Sequence, residues 1–180
     1  MKFASSLLFL FGGLTASAAV IGKRATSSFH LYAYGNGIGG LPVYYSDGNA
    51  FIGNKVPSGS RVNTNITFAP SSSSEWIITP TSNITLTNTT SPALFINPNT
   101  AALTNIGFTG SNSNSSTGTT KGFIAYGNWV MWEHADTSKM SSSFYATPVS
   151  DGIWQLKWNA DEIDDGSSVS VAVRKVAPSN

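Results

Sequence analysis

Leu41-Pro42-Val43-Tyr44-Tyr45-Ser46-Asp47-Gly48-Asn49-Ala50-Phe51-Ile52 sets two apolar, aromatic runs on either side of a Ser-Asp-Gly-Asn break. Asp-Gly tolerates the positive φ that a tight hairpin turn demands, so this stretch reads as strand, turn, strand. The same vocabulary continues in both directions. Upstream, Phe29-His30-Leu31-Tyr32-Ala33-Tyr34 predicts an aromatic-rich strand, followed by a glycine-dense turn from Gly35 to Gly40. Downstream, strands are expected at 66–68, 76–79, 84–87, 94–96, 102–104, 122–126, 129–134, 144–146, 153–158 and 169–173. No segment carries a sustained apolar stripe of period 3.6 with caps, so helix beyond a short turn is not expected. The expected fold is all-β: a single-domain antiparallel β-sandwich, with a β-trefoil as the alternative.

The trefoil stays open because of a weak internal echo. Leu31-Tyr32-Ala33-Tyr34-Gly35-Asn36 resembles Phe123-Ile124-Ala125-Tyr126-Gly127-Asn128, and Thr67-Phe68 leading to Trp76 resembles Ser143-Phe144 leading to Trp154. The offsets differ, 92 for the first pair and 76 to 78 for the second, so a shared vocabulary of tight turns accounts for the echo better than duplication.

The first 24 residues read as an export and maturation leader. Lys2 precedes an apolar run from Leu7 to Leu14, Ala16-Ser17-Ala18 matches the small-residue pattern a signal peptidase needs, and Lys23-Arg24 is a dibasic processing pair. The expectation is a signal peptide over 1–18, a propeptide over 19–24 and one all-β domain over 25–180, secreted to the extracellular space or cell wall. The apolar run is too short to span a hydrocarbon core of roughly 30 Å, so membrane insertion is not expected. Cysteine is absent, which removes disulfides, thiol chemistry and cysteine-based zinc sites.

Charge is sparse. Removing Lys2, Lys23 and Arg24 leaves seven cations against nine acids, a balance of −2 with histidine neutral. Nucleic acid and anionic lipid both demand clustered Lys and Arg, so neither is an expected partner. Ser, Thr and Asn supply much of the polar surface, and Asn-x-Ser/Thr acceptor motifs stand at Asn65, Asn83, Asn88 and Asn114. The segment 111–121 is Gly, Ser, Thr and Asn apart from its last residue, Lys121, and reads as a surface loop.

Three constellations carry candidate chemistry. In a strand over 129–134, Trp129, Met131 and Glu133 share one face and Val130, Trp132 and His134 the other, with Asp136 just beyond. Glu133 or Asp136 could act as an acid or base beside a sugar-stacking tryptophan, although packing of both rows is the commoner use of strand aromatics. Trp154, Leu156 and Trp158 align in the same way, with Gln155 and Lys157 opposite, and read first as core. Asp161-Glu162-Ile163-Asp164-Asp165-Gly166 suggests a calcium loop, but Ile163 occupies a ligand position, so a solvated acidic turn is expected and no metal. Glycoside hydrolysis would need two carboxylates across a cleft, and Glu75, Glu133 and Asp136 are the acids near strands. No Gly-x-Ser-x-Gly elbow occurs, neither Ala19 nor Ala25 provides the amino-terminal histidine of a copper monooxygenase, and no cofactor is expected.

The leader, the missing cysteine, the Ser/Thr/Asn-rich strands and the acceptor motifs together resemble the small cysteine-free secreted or cell-wall glycoproteins of filamentous fungi. The resemblance implies a non-enzymatic protein bound to wall polysaccharide or to a host surface component, and it carries over no catalytic residue. Tyr32, Tyr34, Tyr44, Tyr45, Trp129 and Trp132 are the expected stacking residues. The alternatives are a host-directed effector that modulates immunity or cell death, hence a virulence factor, and a small glycoside hydrolase.

Overall fold

The computed structural model describes residues 27–86, 91–99, 102–110 and 118–179. The expected leader and the Asn-x-Ser/Thr motifs at Asn88 and Asn114 lie outside them. The described residues form strands and no helix, as the periodicity requires. The strands are β1 (Tyr32–Gly35), β2 (Ile38–Ser46), β3 (Asn49–Gly53), β4 (Asn63–Pro70), β5 (Trp76–Pro80), β6 (Leu94–Phe95) and β7 (Thr104–Asn105). They continue with β8 (Gly107–Phe108), β9 (Phe123–Tyr126), β10 (Trp129–Glu133), β11 (Met140–Ser141), β12 (Phe144–Ser150), β13 (Ile153–Trp158) and β14 (Val169–Arg174).

Six of them close on themselves. β2 pairs with β1 and β3, β1 with β14, β14 with β12, β12 with β13, and β13 returns to β3, every pair antiparallel. The product is a closed six-stranded barrel with outer strands around it, where two facing open sheets were expected. Its strands come from two stretches of chain, 32–53 and 144–174, instead of the three equivalent hairpin units of a trefoil. The physical reason is β2, whose nine residues are long enough to pair with β1 through one half and β3 through the other.

The hairpin that opened the sequence reading is present. Asp47 and Gly48 have φ of 43° and 88°, the two positive values of a type I′ turn, and Ser46 faces Asn49 across it. Asp47 is also a clamp, its carboxylate accepting from the amides of Arg61 (2.9 Å) and Val62 (2.8 Å), which delivers the chain to β4 beside β2. The Gly35–Gly40 stretch departs from expectation. The turn is confined to its first part, and Gly39 and Gly40 belong to β2, with Gly40 an extra residue in a bulge opposite Ala33 and Tyr34. Residues 84–86 form no strand, although Leu86 is buried.

Inside, Ala33, Val43, Tyr45, Ile52, Ala146, Leu156, Val171 and Val173 point inward and join Ile66, Phe68, Trp76, Ile78 and Phe108 from the outer strands in one continuous core. Trp158 is its largest wholly buried side chain, edge-on to Phe144 (5.1 Å) and Trp132 (5.9 Å). Each such residue stabilises by about 1.5–3 kcal/mol, and with no disulfide this burial is what keeps the ring shut. Gln155 is buried too, against the expectation of a polar outer row, because β3 pairs along β13 there and Gln155 Nε2 donates to the Ala50 carbonyl at 2.9 Å.

Closure is tightest where β3 meets β13. Gly53 has φ of 139° and a Cβ there would stand 2.4 Å from the Gly152 carbonyl oxygen, whereas Gly37 (φ 73°) has open space around it. Gly37→Ala should lose only the backbone strain, about 1–2 kcal/mol in urea unfolding. Gly53→Ala should lose clearly more, because backbone must move; equal losses would show that the seam is not tight.

Candidate functional site

Alternation in β1, β14, β10 and β9 sends Ala33, Val171, Val173 and Val130 into the core and the residues between them outward. Register then assembles the outward residues into one line across the sheet. Tyr32 faces Pro42 on one side and Arg174 on the other, Arg174 faces Trp129, and Trp129 faces Tyr126. At roughly 4.8 Å per strand this Pro42–Tyr32–Arg174–Trp129–Tyr126 row is about 19 Å long. Its outer end is open to solvent, with Tyr126 67% and Trp129 45% exposed. The turn between them is the two-residue Gly127-Asn128 loop, in which Gly127 has φ of 61°.

The row is held rigidly. Arg174 Cζ lies 4.8 Å from the Trp129 ring centre and 5.3 Å from that of Tyr34, so the guanidinium is flanked by two aromatic faces. Tyr34 is pinned at its hydroxyl, which donates to the Val176 carbonyl at 2.8 Å. A Cβ on Gly40 would come within 2.8 Å of the same ring, so the bulge glycine makes the room in which Tyr34 lies. Below Tyr32 opens a groove of about 630 Å³ that His30, Pro42, Asn54, Asn65 and Thr81 also line. His30 Nδ1 is fixed there by the Ile66 carbonyl at 3.0 Å. Pro42, Asn54 and Asn65 are shared with a second hollow of about 290 Å³ under Tyr44, Lys55 and Asn63.

Of the six aromatic residues expected to stack, Tyr32, Tyr34 and Trp129 meet in this patch. The other three are corrected by burial. Tyr45 is 0% exposed and stacked on Phe108 at 5.5 Å, an interior residue. Tyr44 points outward from β2 but is covered, stacked on Phe51 at 5.9 Å, with its hydroxyl unpartnered and its pKa pushed up to about 12 by burial. Trp132 is a core residue whose indole N–H donates to the Lys121 carbonyl at 3.0 Å. Tyr126 and Arg174 are the patch residues that the sequence reading missed. The signal for Tyr126 was the Gly-Asn turn, which sets it directly opposite Trp129.

The carboxylates divide. Glu133 and Asp136, with His134 and the edge of Trp132, line a third cavity of about 460 Å³. Glu75 is not among its lining residues and is committed elsewhere: Thr120 and Ser73 hydroxyls donate to it at 2.6 and 2.7 Å and hold its carboxyl below the usual carboxylate range. A general acid needs the opposite shift. The acidic turn satisfies itself, since Asp165 accepts from the amides of Ser167 and Ser168 and from the Ser168 hydroxyl and is held well below its ordinary value by them. Among the described residues no group of three His, Asp or Glu could hold a metal ion. Asn65 and Asn83 are exposed. No helix of the described residues is long and apolar enough to cross a membrane.

Comparison with protein families, with curated proteins and with solved structures finds no match to this chain.

Burial separates the two tryptophans of β10. Trp132→Ala should cost about 3–5 kcal/mol in denaturant unfolding, the range for a large aromatic removed from a core. Trp129→Ala should stay near or below about 1 kcal/mol, as expected of a surface position. For Glu75 the sign follows from its lowered pKa. The stability it contributes is complete above its unfolded pKa and is lost as pH falls through the lower folded value, so Glu75→Gln should lower Tm at neutral pH, converge on the wild-type curve at acid pH and thereby flatten the acid limb of a Tm-against-pH curve.

Proposed function

We propose that this protein is a secreted, non-enzymatic glycoprotein that binds cell-wall or other extracellular glycans, as its resemblance to fungal wall glycoproteins implies. The observation that carries the reading is the row that runs from half-buried Tyr32 through Arg174 to the exposed rings of Trp129 and Tyr126. Its rings are laid across a rigid barrel wall and are open at the outer end. Sugar rings present apolar C–H faces that pack on such rings, and their hydroxyls need amide and hydroxyl partners, which Asn54 and Thr81 supply in the adjoining groove. A platform of this kind is spread along a surface, as suits a polymer, and needs no catalytic group.

A small glycoside hydrolase is the second reading, favoured by the shared cavity of Glu133 and Asp136. One experiment separates them. Insoluble chitin, β-glucan, mannan and plant-wall polysaccharides are incubated with the protein, and both depletion from solution and release of reducing ends are followed. The expected result is binding without release, weakened about fivefold by Trp129→Ala and by Tyr126→Ala, a stacking contact being worth on the order of 1 kcal/mol. Release of reducing ends that disappears in Glu133→Gln would favour the hydrolase, and undiminished binding by both aromatic variants would remove the row from the site.

A further inference from the structure

The centre of the row is a cation without a counter-ion. Among the described residues the single ion pair is Lys55 with Asp151 at 2.8 Å, and no carboxylate approaches Arg174. Its Nε is out of contact with water and has no hydrogen-bond partner, because the rings of Tyr34 and Trp129 flank the guanidinium. Arg174 is thus fixed in direction by aromatic faces with its Nε enclosed, while no described residue takes its charge or the fork of its two terminal Nη donors. Glu133, the acid on the same face of β10, lies four residues along the strand, roughly 13 Å away at about 3.3 Å per residue and beyond the ~8 Å screening length of physiological salt.

We propose that Arg174 makes the row selective for glycans whose sugar rings carry a carboxylate, that is, uronic acids. The inference rests on the row being the glycan-binding surface. A planar carboxylate matches a guanidinium fork with two parallel N–H···O bonds, and a pyranose ring bearing it can then lie on Trp129 or Tyr126 beside it. Recognition is local. After removal of the leader the chain carries more acids than cations, so its overall field does not gather polyanions and the preference rests on the one fork.

The test uses the purified full-length protein with an oligogalacturonate and the same oligomer as its methyl ester, which differ in charge but not in ring or linkage. Binding is measured by calorimetry for the wild type and for Trp129→Ala, Arg174→Gln and Arg174→Lys. Thermal melts confirm folding, and Lys139→Gln, an exposed cation on the β10–β11 turn, is the charge control. The wild type should prefer the acid on the order of ten- to a hundredfold, the range of a charge-assisted hydrogen bond. Arg174→Gln should erase that preference and keep binding to the ester, Arg174→Lys should keep only part of it, and Lys139→Gln should change nothing. If Arg174→Gln fails to fold, the loss in Arg174→Lys decides. Equal affinity for acid and ester, or a preference that survives in Arg174→Gln, overturns the inference. Should neutral glycans bind through Trp129 while the acid gains nothing, the uronate inference falls and the platform stands. Absence of binding to every glycan removes both.

Discussion

Everything in this molecule hangs on the closure of β2, β1, β14, β12, β13 and β3 into a ring. Closure joins stretches far apart in the chain, β3 to β13 about 100 residues apart and β1 to β14 about 140, with no cysteine to hold them. What holds them is paired backbone and a core continuous from the barrel interior to the outer strands. A closed ring leaves no unpaired edge, which is the standing hazard of small β-proteins. The tight spots follow from the same constraint: the I′ turn at Asp47-Gly48 lets β2 fold back on β3, and Gly53 lets β3 approach β13 closely enough to seal the seam.

Closure also makes the outer surface a place where side chains can be aimed. In a closed sheet the register of each strand is fixed by two neighbours, and a one-residue slip would send the core row to solvent. The outward residues of β1 and β14 therefore stand at fixed spacing. The β9–β10 hairpin is fastened to that wall by the Trp129–Arg174 pairing and by the Lys175 amide donating to the Asn128 carbonyl at 2.9 Å. The residues that attach the hairpin are the ones that form the patch, so attachment and the proposed recognition surface are one piece of structure.

The parts legible in sequence were those decided by neighbours along the chain. Asp47-Gly48 announces its turn, and alternation over 129–134 separates Trp129 from Val130 and Trp132, but it does not name the inner face, so Trp132 was expected among the stacking residues and lies in the core. What could not be read was decided by partners far away. Nothing in the periodicity of β1 names β14, so the barrel was hidden, and Arg174 fell just past the expected end of its strand at Val173. Tyr44 and Tyr45 are adjacent and so must face opposite sides, yet both are buried, because one enters the core and the other stacks under Phe51. Gly39 and Gly40 look like turn residues and act as a strand bulge that makes room for Tyr34.

Magnitudes decide whether Arg174 needs a functional explanation. Two cation–π contacts at a half-exposed position contribute about 0.5–1 kcal/mol each. Leaving a dry Nε donor without a partner costs about 1–3 kcal/mol. The two nearly cancel, so the fold gains little from arginine here, and an uncharged side chain at this outward register position would leave the inward row of β14 unaltered. Trp129 and Tyr126 show the same imbalance, as large apolar rings that the core does not use. Three residues of small value to the core, lined up on one register row of a weakly charged surface, are what the proposed glycan-binding row requires and what the packing of the barrel does not.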